Sequence, residues 1–324
     1  MPDVQCQLCP KRCTISPGRA GDCRVRINLD GRLRTVVYGF PCAIHVDPVE
    51  KKPLFHFLPG TRILSLATVG CNLHCLNCQN WEISQADPQD STAAACPPQK
   101  VVSLASQTGC PSIAYTYTEP IVYYEYTLDT SRLARQAGIR NVLVTAGYVN
   151  PDPWQGLLSW IDSANIDLKF MSDELYQRIC SASLGPILDA IVAAKKAGVW
   201  VEITNLVIPT LNDTPEDFRQ VAVWVKGYCG PDTPLHFSGF WPRYKLQHLP
   251  PTSASTLETA RQVAIAEGLW FVYIGNVTSP SGQDTHCPGC GRLVIQRRGF
   301  AVLSNRLVKG RCPDCDRQIP GVWA

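Results

Sequence analysis

Three cysteines, Cys71, Cys75 and Cys78, stand in "TVGCNLHCLNCQNWEIS" (68–84) with three and then two residues between them. A structural zinc site takes four ligands, and an iron–sulfur cube offers four irons, each normally held by one cysteine. Three thiolates on so short a loop can hold three corners of one cube and leave the fourth iron open. An open metal position is where a ligand or substrate binds, by the logic that separates catalytic from structural zinc. Two plainer readings stay open from the spacing: an electron-transfer cluster with a distant fourth cysteine, and a zinc site.

The chain carries 16 cysteines, and most of the others fall into two further sets. Cys287, Cys290, Cys312 and Cys315 form two Cys-x2-Cys knuckles separated by "GRLVIQRRGFAVLSNRLVKGR", which has the length for a β-hairpin. Four thiolates on two tight turns make the closed tetrahedral site of a zinc ribbon or a rubredoxin-like iron. Cys6, Cys9, Cys13 and Cys23 share a Gly- and Pro-rich loop with Arg12, Arg19, Arg24 and Arg26 around them. They suggest one more metal, with zinc and an iron–sulfur cluster not separable on spacing. A loop-rich module this small has too little apolar surface to order itself without such a staple. Cys42, Cys96, Cys110, Cys180 and Cys229 stand alone and read as small buried hydrophobes.

The elements that must position these groups follow from hydrophobic period. Residues 1–60 are short on helix signals, with β-like pieces at "LRTVVYGF" and "FHFLPG", and read as a Cys-rich metal-binding module. Residues 61–279 alternate apolar strand-length runs with helical periodicity. The runs are "ILSLATV", "SIAYTY", "NVLVT", "NIDLK", "VWVEITNLVI", "LHFSGF" and "LWFVYIG". Helices are predicted at 122–137, 184–197 and 215–228, the first two closed by Gly138 and Gly198 and the last opened by Thr214. Repeated βα units give a parallel sheet, and the fold class expected is α/β, a full or partial (β/α) barrel; a doubly wound sheet is the alternative. In barrels the functional groups lie after the strands, and the three-cysteine loop directly follows the first run. Residues 280–324 make the ribbon-like module.

Charge is nearly balanced, 30 Lys plus Arg against 27 Asp plus Glu, with no block of one sign. Nothing there supports nucleic-acid or anionic-membrane binding. No run of about 18 apolar residues occurs and the N-terminus lacks an apolar signal core, so a cytoplasmic protein is expected. In that compartment cysteines serve as metal ligands rather than disulfides.

Cys-x3-Cys-x2-Cys after the first strand of a βα barrel resembles the signature of the radical S-adenosylmethionine enzymes. In that family the open iron of a 4Fe–4S cluster is chelated by the amino and carboxylate groups of S-adenosylmethionine. Asn77 stands where the family often carries an aromatic residue. "YTYTEP" ends the second strand, where related enzymes have a Gly-Gly-Glu motif that receives the methionine ammonium; the resemblance makes Glu119 the partner for that cation. The plainer alternative is a carboxylate at a helix start before Pro120. "NIDLK" resembles the fourth-strand Asp-x-Lys of pyruvate formate-lyase activating enzymes. It implies that Lys169 meets the methionine carboxylate and Asp167 a ribose hydroxyl or the lysine itself, with an internal salt bridge as the alternative. "LVTAGYV" resembles the third-strand Thr-Asn-Gly region, with Ala146 where asparagine is expected, and "FWPRYKL" resembles a later strand-end loop of the same enzymes; His236 lies upstream of the second and carries no implied role.

Most of the chain resembles the radical S-adenosylmethionine component of the AmmeMemoRadiSam system, on "CQLCPKRC", "VEKKPLFHFLPG", the three-cysteine loop, "YTYTEP" and "CPGCG". That implies reductive cleavage of S-adenosylmethionine to a 5′-deoxyadenosyl radical that takes hydrogen from a substrate, which could be a protein. It also implies a one-electron donor such as ferredoxin or flavodoxin and companions of the AMMECR and Memo types, while zinc is expected from the closed four-cysteine site at Cys287, Cys290, Cys312 and Cys315. The rival functions are an electron-transfer protein that leaves S-adenosylmethionine intact and a zinc-ribbon nucleic-acid adaptor.

Overall fold

All seven predicted strand runs form strands of one sheet in the computed structural model, which describes residues 2–278 and 282–324. Two short hairpins precede the sheet, β1 (Val4–Gln5) with β2 (Thr14–Ile15) and β3 (Arg26–Leu29) with β4 (Arg32–Thr35). The sheet strands are β5 (Ala43–Pro48), β6 (Arg62–Ala67), β7 (Ser112–Tyr115), β8 (Arg140–Thr145), β9 (Ser163–Asp167), β10 (Trp200–Val207), β11 (Leu235–Gly239) and β12 (Val272–Gly275). They lie side by side in chain order, β6 to β12 parallel and β5 antiparallel against β6. A doubly wound sheet reverses its strand order at a switch point. This order never reverses, so the architecture is the barrel type, left partial because β5 and β12 end the sheet without pairing to each other.

Helices cover the outside: α1 (Trp81–Ser84), α2 (Pro98–Gln107), α3 (Tyr124–Gln136), α4 (Pro151–Leu158), α5 (Asp173–Leu175) running into a π-helical turn at Tyr176–Cys180, α6 (Leu184–Lys196), α7 (Pro215–Cys229) and α8 (Ala254–Ala266). The predicted ends hold: Gly138 and Gly198 follow α3 and α6 with φ of +72° and +81°, and Thr214 and Asp217 form a reciprocal capping box on α7. Strands buried on both faces read as continuous apolar runs, as β6 and β7 do.

The main sheet reaches back to Ala43, into the segment expected to form the N-terminal module. The strand expected at "FHFLPG" is absent. Residues 49–58 instead plug one end of the barrel, and Phe57 makes only an isolated bridge to Val322. The cause is a buried carboxylate: Glu202 on β10 accepts hydrogen bonds from the Phe55 and His56 backbone N–H groups, the Trp200 indole and His236. Burial opposes its ionisation, but the His236 hydrogen bond and charge prevail and hold the carboxyl below its usual range. Glu202→Ala is expected to cost about 3–5 kcal/mol of stability, the range for breaking a buried pair. Denaturant unfolding checks this, and an unchanged midpoint would reduce the plug to a passive filler.

The C-terminal strands β13 (Thr285–His286), β14 (Leu293–Arg298) and β15 (Ala301–Asn305) form an antiparallel sheet. It is pinned on the plug by Arg297, which donates to the Phe55 carbonyl at 2.6 Å and to Thr285 at 2.8 Å. Phe55, Phe271, Tyr273, Val294 and Ile295 form the shared core.

Candidate active site

Residues 68–84 leave the carboxyl end of β6 through Gly70, whose φ is +93°. A side chain there would lie 2.5 Å from Val25 Cγ1 and 2.7 Å from the Cys23 carbonyl, so glycine is required. The loop is fastened from three sides. His74 and Leu76 donate backbone hydrogen bonds to the Cys180 and Ile179 carbonyls of the π-turn, and Leu76 accepts one from Lys245. Tyr244, with φ of +52°, stacks on Trp81 at 5.1 Å. Thus the predicted stretch "FWPRYKL" does meet the loop, by packing on it.

Cys71, Cys75 and Cys78 line one side of a cavity of about 420 Å³, and Glu119, Asp167 and Lys169 line it too. Glu119 is buried; Thr145 Oγ1 donates to it at 2.5 Å and the Ala146 N–H at 2.8 Å, both from the end of β8. The Ile121 N–H adds a weak contact at 3.3 Å, so the helix-start alternative captures only a small part of its role. Burial raises the Glu119 carboxyl to about 7. Lys169 and Asp167 pair at 2.6 Å, the internal salt bridge named as the alternative, yet both face the cavity. Burial works against the lysine's charge, and the neighbouring Asp167 outweighs it.

The same cavity gathers a second polar group that the motifs did not single out. Asp47 on β5 accepts from Lys51 at 2.9 Å, Lys52 at 2.6 Å, Ser65 at 2.8 Å and the Tyr117 hydroxyl. Lys51, Lys52 and Tyr117 line the cavity, and burial brings Lys52 down to about 8. The two adjacent lysines of "VEKKPLFHFLPG" are the trace of this in the sequence. A second cavity of about 520 Å³, lined by Trp241, Asn276 and Phe300 at the open edge of the barrel, shares Lys51 with the first.

Whether these residues suit a cube with one open iron is a question of donor number. Three thiols line the cavity; Cys180 lies within hydrogen-bonding reach of Cys75 but does not line it. The Asn77 side-chain oxygen is buried without a partner beside Cys78. Three thiolates, a carboxylate for a cation and an ammonium for a carboxylate match a three-cysteine cluster carrying an amino acid on its fourth iron.

The C-terminal cysteines are arranged differently. Cys287 and Cys315 sulfurs lie 3.5 Å apart, those of Cys290 and Cys312 3.7 Å, and all four fall within 4.8 Å of one another. Bonds of about 2.3 Å to one tetrahedral ion place sulfurs ~3.8 Å apart. Among the described residues no other group of three or more Cys, His, Asp or Glu draws together so closely. Cys6, Cys9, Cys13 and Cys23 are therefore more widely spaced. Cys6 donates its N–H to the Cys13 carbonyl at the turn end of the β1–β2 hairpin, with Cys9 in the turn.

The Radical SAM superfamily model matches residues 65–225, which span β6 to α7. A protein of Methanocaldococcus jannaschii named only as uncharacterized is 46% identical over 318 residues, covering 98% of this chain and 95% of that one. The pyruvate formate-lyase-activating enzyme of Clostridium pasteurianum is 25% identical over 171 residues, 52% of this chain and 71% of the enzyme. In fold, the structure resembles that of a radical SAM methyltransferase from Sphaerobacter thermophilus, with a TM-score of 0.52 at 15% identity, covering 73% of this chain and 71% of that one.

Proposed function

From the premise that this chain belongs to the radical SAM superfamily and is an enzyme that uses S-adenosylmethionine, we propose that the cavity beside Cys71, Cys75 and Cys78 is where the cofactor binds. The observation that carries this is the convergence of three thiols, Glu119, Asp167 and Lys169 on one cavity. When bound, the 4Fe–4S cluster supplies one electron to the sulfonium of S-adenosylmethionine, giving methionine and the 5′-deoxyadenosyl radical that removes hydrogen from substrate.

The chain's residues bind and orient. Cys71, Cys75 and Cys78 hold three irons. Glu119 receives the methionine ammonium, held in place by Thr145 and Ala146; Lys169 meets the methionine carboxylate, and Asp167 steadies the lysine or takes a ribose hydroxyl. Lys52 and Tyr117, tied through Asp47, line the same cavity and keep that part of its wall polar. Substrate reaches the cavity through the open seam beside Lys51, past Trp241 and Phe300. Similarity to pyruvate formate-lyase-activating enzymes favours a protein substrate. The sequence motifs favour companions of the AMMECR and Memo types and a cytoplasmic setting. Among the described residues no helix is long and apolar enough to cross a membrane.

Radical SAM enzymes generally need a one-electron donor; ferredoxin or flavodoxin would serve. The deciding experiment is anaerobic incubation of reconstituted protein with S-adenosylmethionine and reductant, assayed for 5′-deoxyadenosine. None formed would return the site to plain electron transfer.

The closed spacing of the C-terminal sulfurs supports zinc there. Metal analysis is expected to give about one zinc per chain, the four-thiolate stoichiometry. Replacing the exposed pair Cys290 and Cys315 with Ser should remove that zinc, lower the melting temperature and leave iron in place. Iron in the ribbon instead would make it a redox centre.

A further inference from the structure

Among the described residues no three of the N-terminal cysteines draw together as the ribbon's four do, and the same holds for Cys71, Cys75 and Cys78. A cube places each thiolate on a different iron and so needs the wider arrangement. The four belong to one small module: Cys6 faces Cys13 across the hairpin end, and the Cys6, Cys9 and Cys23 thiols are within electrostatic reach of one another. Arg26 is buried beside Cys6 and Cys23; its terminal nitrogens pair with Glu125 at 2.7 and 2.8 Å, and its Nε is buried with no protein partner. Donors of this kind, aimed at cluster and thiolate sulfurs, offset their negative charge and tune their potential.

The module abuts the three-cysteine loop. Asp22, next to Cys23, pairs at 2.8 Å with His74, between Cys71 and Cys75, and its N–H contacts the Cys13 sulfur at 3.5 Å. Gly70 presses on the Cys23 carbonyl. On the outer side Cys9 and Cys13 are half-buried, and Arg12 and Arg19 are exposed, a basic rim suited to an acidic protein.

We propose that Cys6, Cys9, Cys13 and Cys23 hold a second iron–sulfur cube, which takes one electron from an acidic protein donor and passes it across the Asp22–His74 contact to the cluster at Cys71, Cys75 and Cys78. The donor is oxidised by one electron; the N-terminal cube is reduced, then reoxidised as the catalytic cube is reduced; no proton or group moves. The relay rests on the catalytic reading above, whereas the metal assignment does not.

The test is a protein carrying Cys71→Ala, Cys75→Ala and Cys78→Ala, reconstituted anaerobically with iron and sulfide. It should keep roughly half of the intact chain's iron and acid-labile sulfide, one cube of two. Its reduced electron paramagnetic resonance signal should not respond to S-adenosylmethionine. Iron at background, or zinc in its place, overturns the assignment. Intact protein gives the same answer without substitution: two reduced signals, one of them changed by S-adenosylmethionine, support the second cube, and one signal alone overturns it. Retained iron with no 5′-deoxyadenosine from the intact chain would uphold the second cube while the catalytic reading falls. Freeze-quench after mixing intact protein with reduced flavodoxin should show the unresponsive signal first; the reverse order overturns the relay.

Discussion

Single replacement of Cys71, Cys75 or Cys78 by Ala is expected to reduce 5′-deoxyadenosine formation to the no-enzyme background. In the proposed site each thiolate would hold one corner of the cube, and an alanine cannot replace it. The fold should survive, because Cys71 and Cys75 only pack against the core, to which the loop contributes Val69 and Leu73 instead. Circular dichroism and thermal melting near those of the wild type, with activity lost, are the expected pair of results. Wild-type product formation in any of the three would remove the mechanism.

Glu119→Gln is expected to weaken S-adenosylmethionine binding by about 1.5–3 kcal/mol, the range for a hydrogen bond to a charged group, or roughly 10- to 150-fold. The pH dependence gives a second handle. Without a cation nearby, burial holds the Glu119 carboxyl at about 7, above its usual range. An ammonium binds the ionised form and lowers that value. Affinity should therefore be full above pH 7 and fall by up to tenfold per unit below it. In the free protein the same raised value means that this group's contribution to stability is present at low pH and lost as pH rises through 7. The thermal shift produced by S-adenosylmethionine should grow from pH 6 to pH 8 in the wild type and stay flat in the variant. Calorimetry and melting curves measure both, and an affinity independent of pH and of the substitution would leave Glu119 with the helix-start role alone.

What the sequence disclosed follows from the range of the forces involved. The seven parallel strands were legible because burial on both faces makes them strand-length runs rich in apolar residues, broken by few polar groups, and the helix ends because their caps are local. β5 was missed: it is an antiparallel edge strand ending in Pro48, with exposed His45 and Val46, and its signal is weak. The three cysteines were legible because their spacing is itself the site. Glu119, Asp167 and Lys169 come together because each follows a neighbouring strand at the same end of the sheet. Lys52 and Tyr117 were not foreseen, since Asp47 joins them only through the β5 pairing and the plug. Likewise His236 gains its place from Glu202, a partner 34 positions away.

The seam between β5 and β12 has a kinetic side. Neighbouring sheet strands meet across short stretches of chain, but the bonds that fasten the seam join residues 242 and 264 positions apart, Arg297 to Phe55 and Pro320 to His56. A loop roughly tenfold longer costs about 2 kcal/mol more to close. Assembly should therefore proceed strand by strand and finish where the ends of the chain clasp. Pulse-labelled hydrogen exchange should find the Phe55, His56 and Val322 amides among the last to gain protection; early protection there would mean the clasp forms first. The order has a use during synthesis. Until Val322 leaves the ribosome the barrel stays unlatched along the seam that opens onto Lys51, leaving its lumen accessible to whatever assembles the clusters.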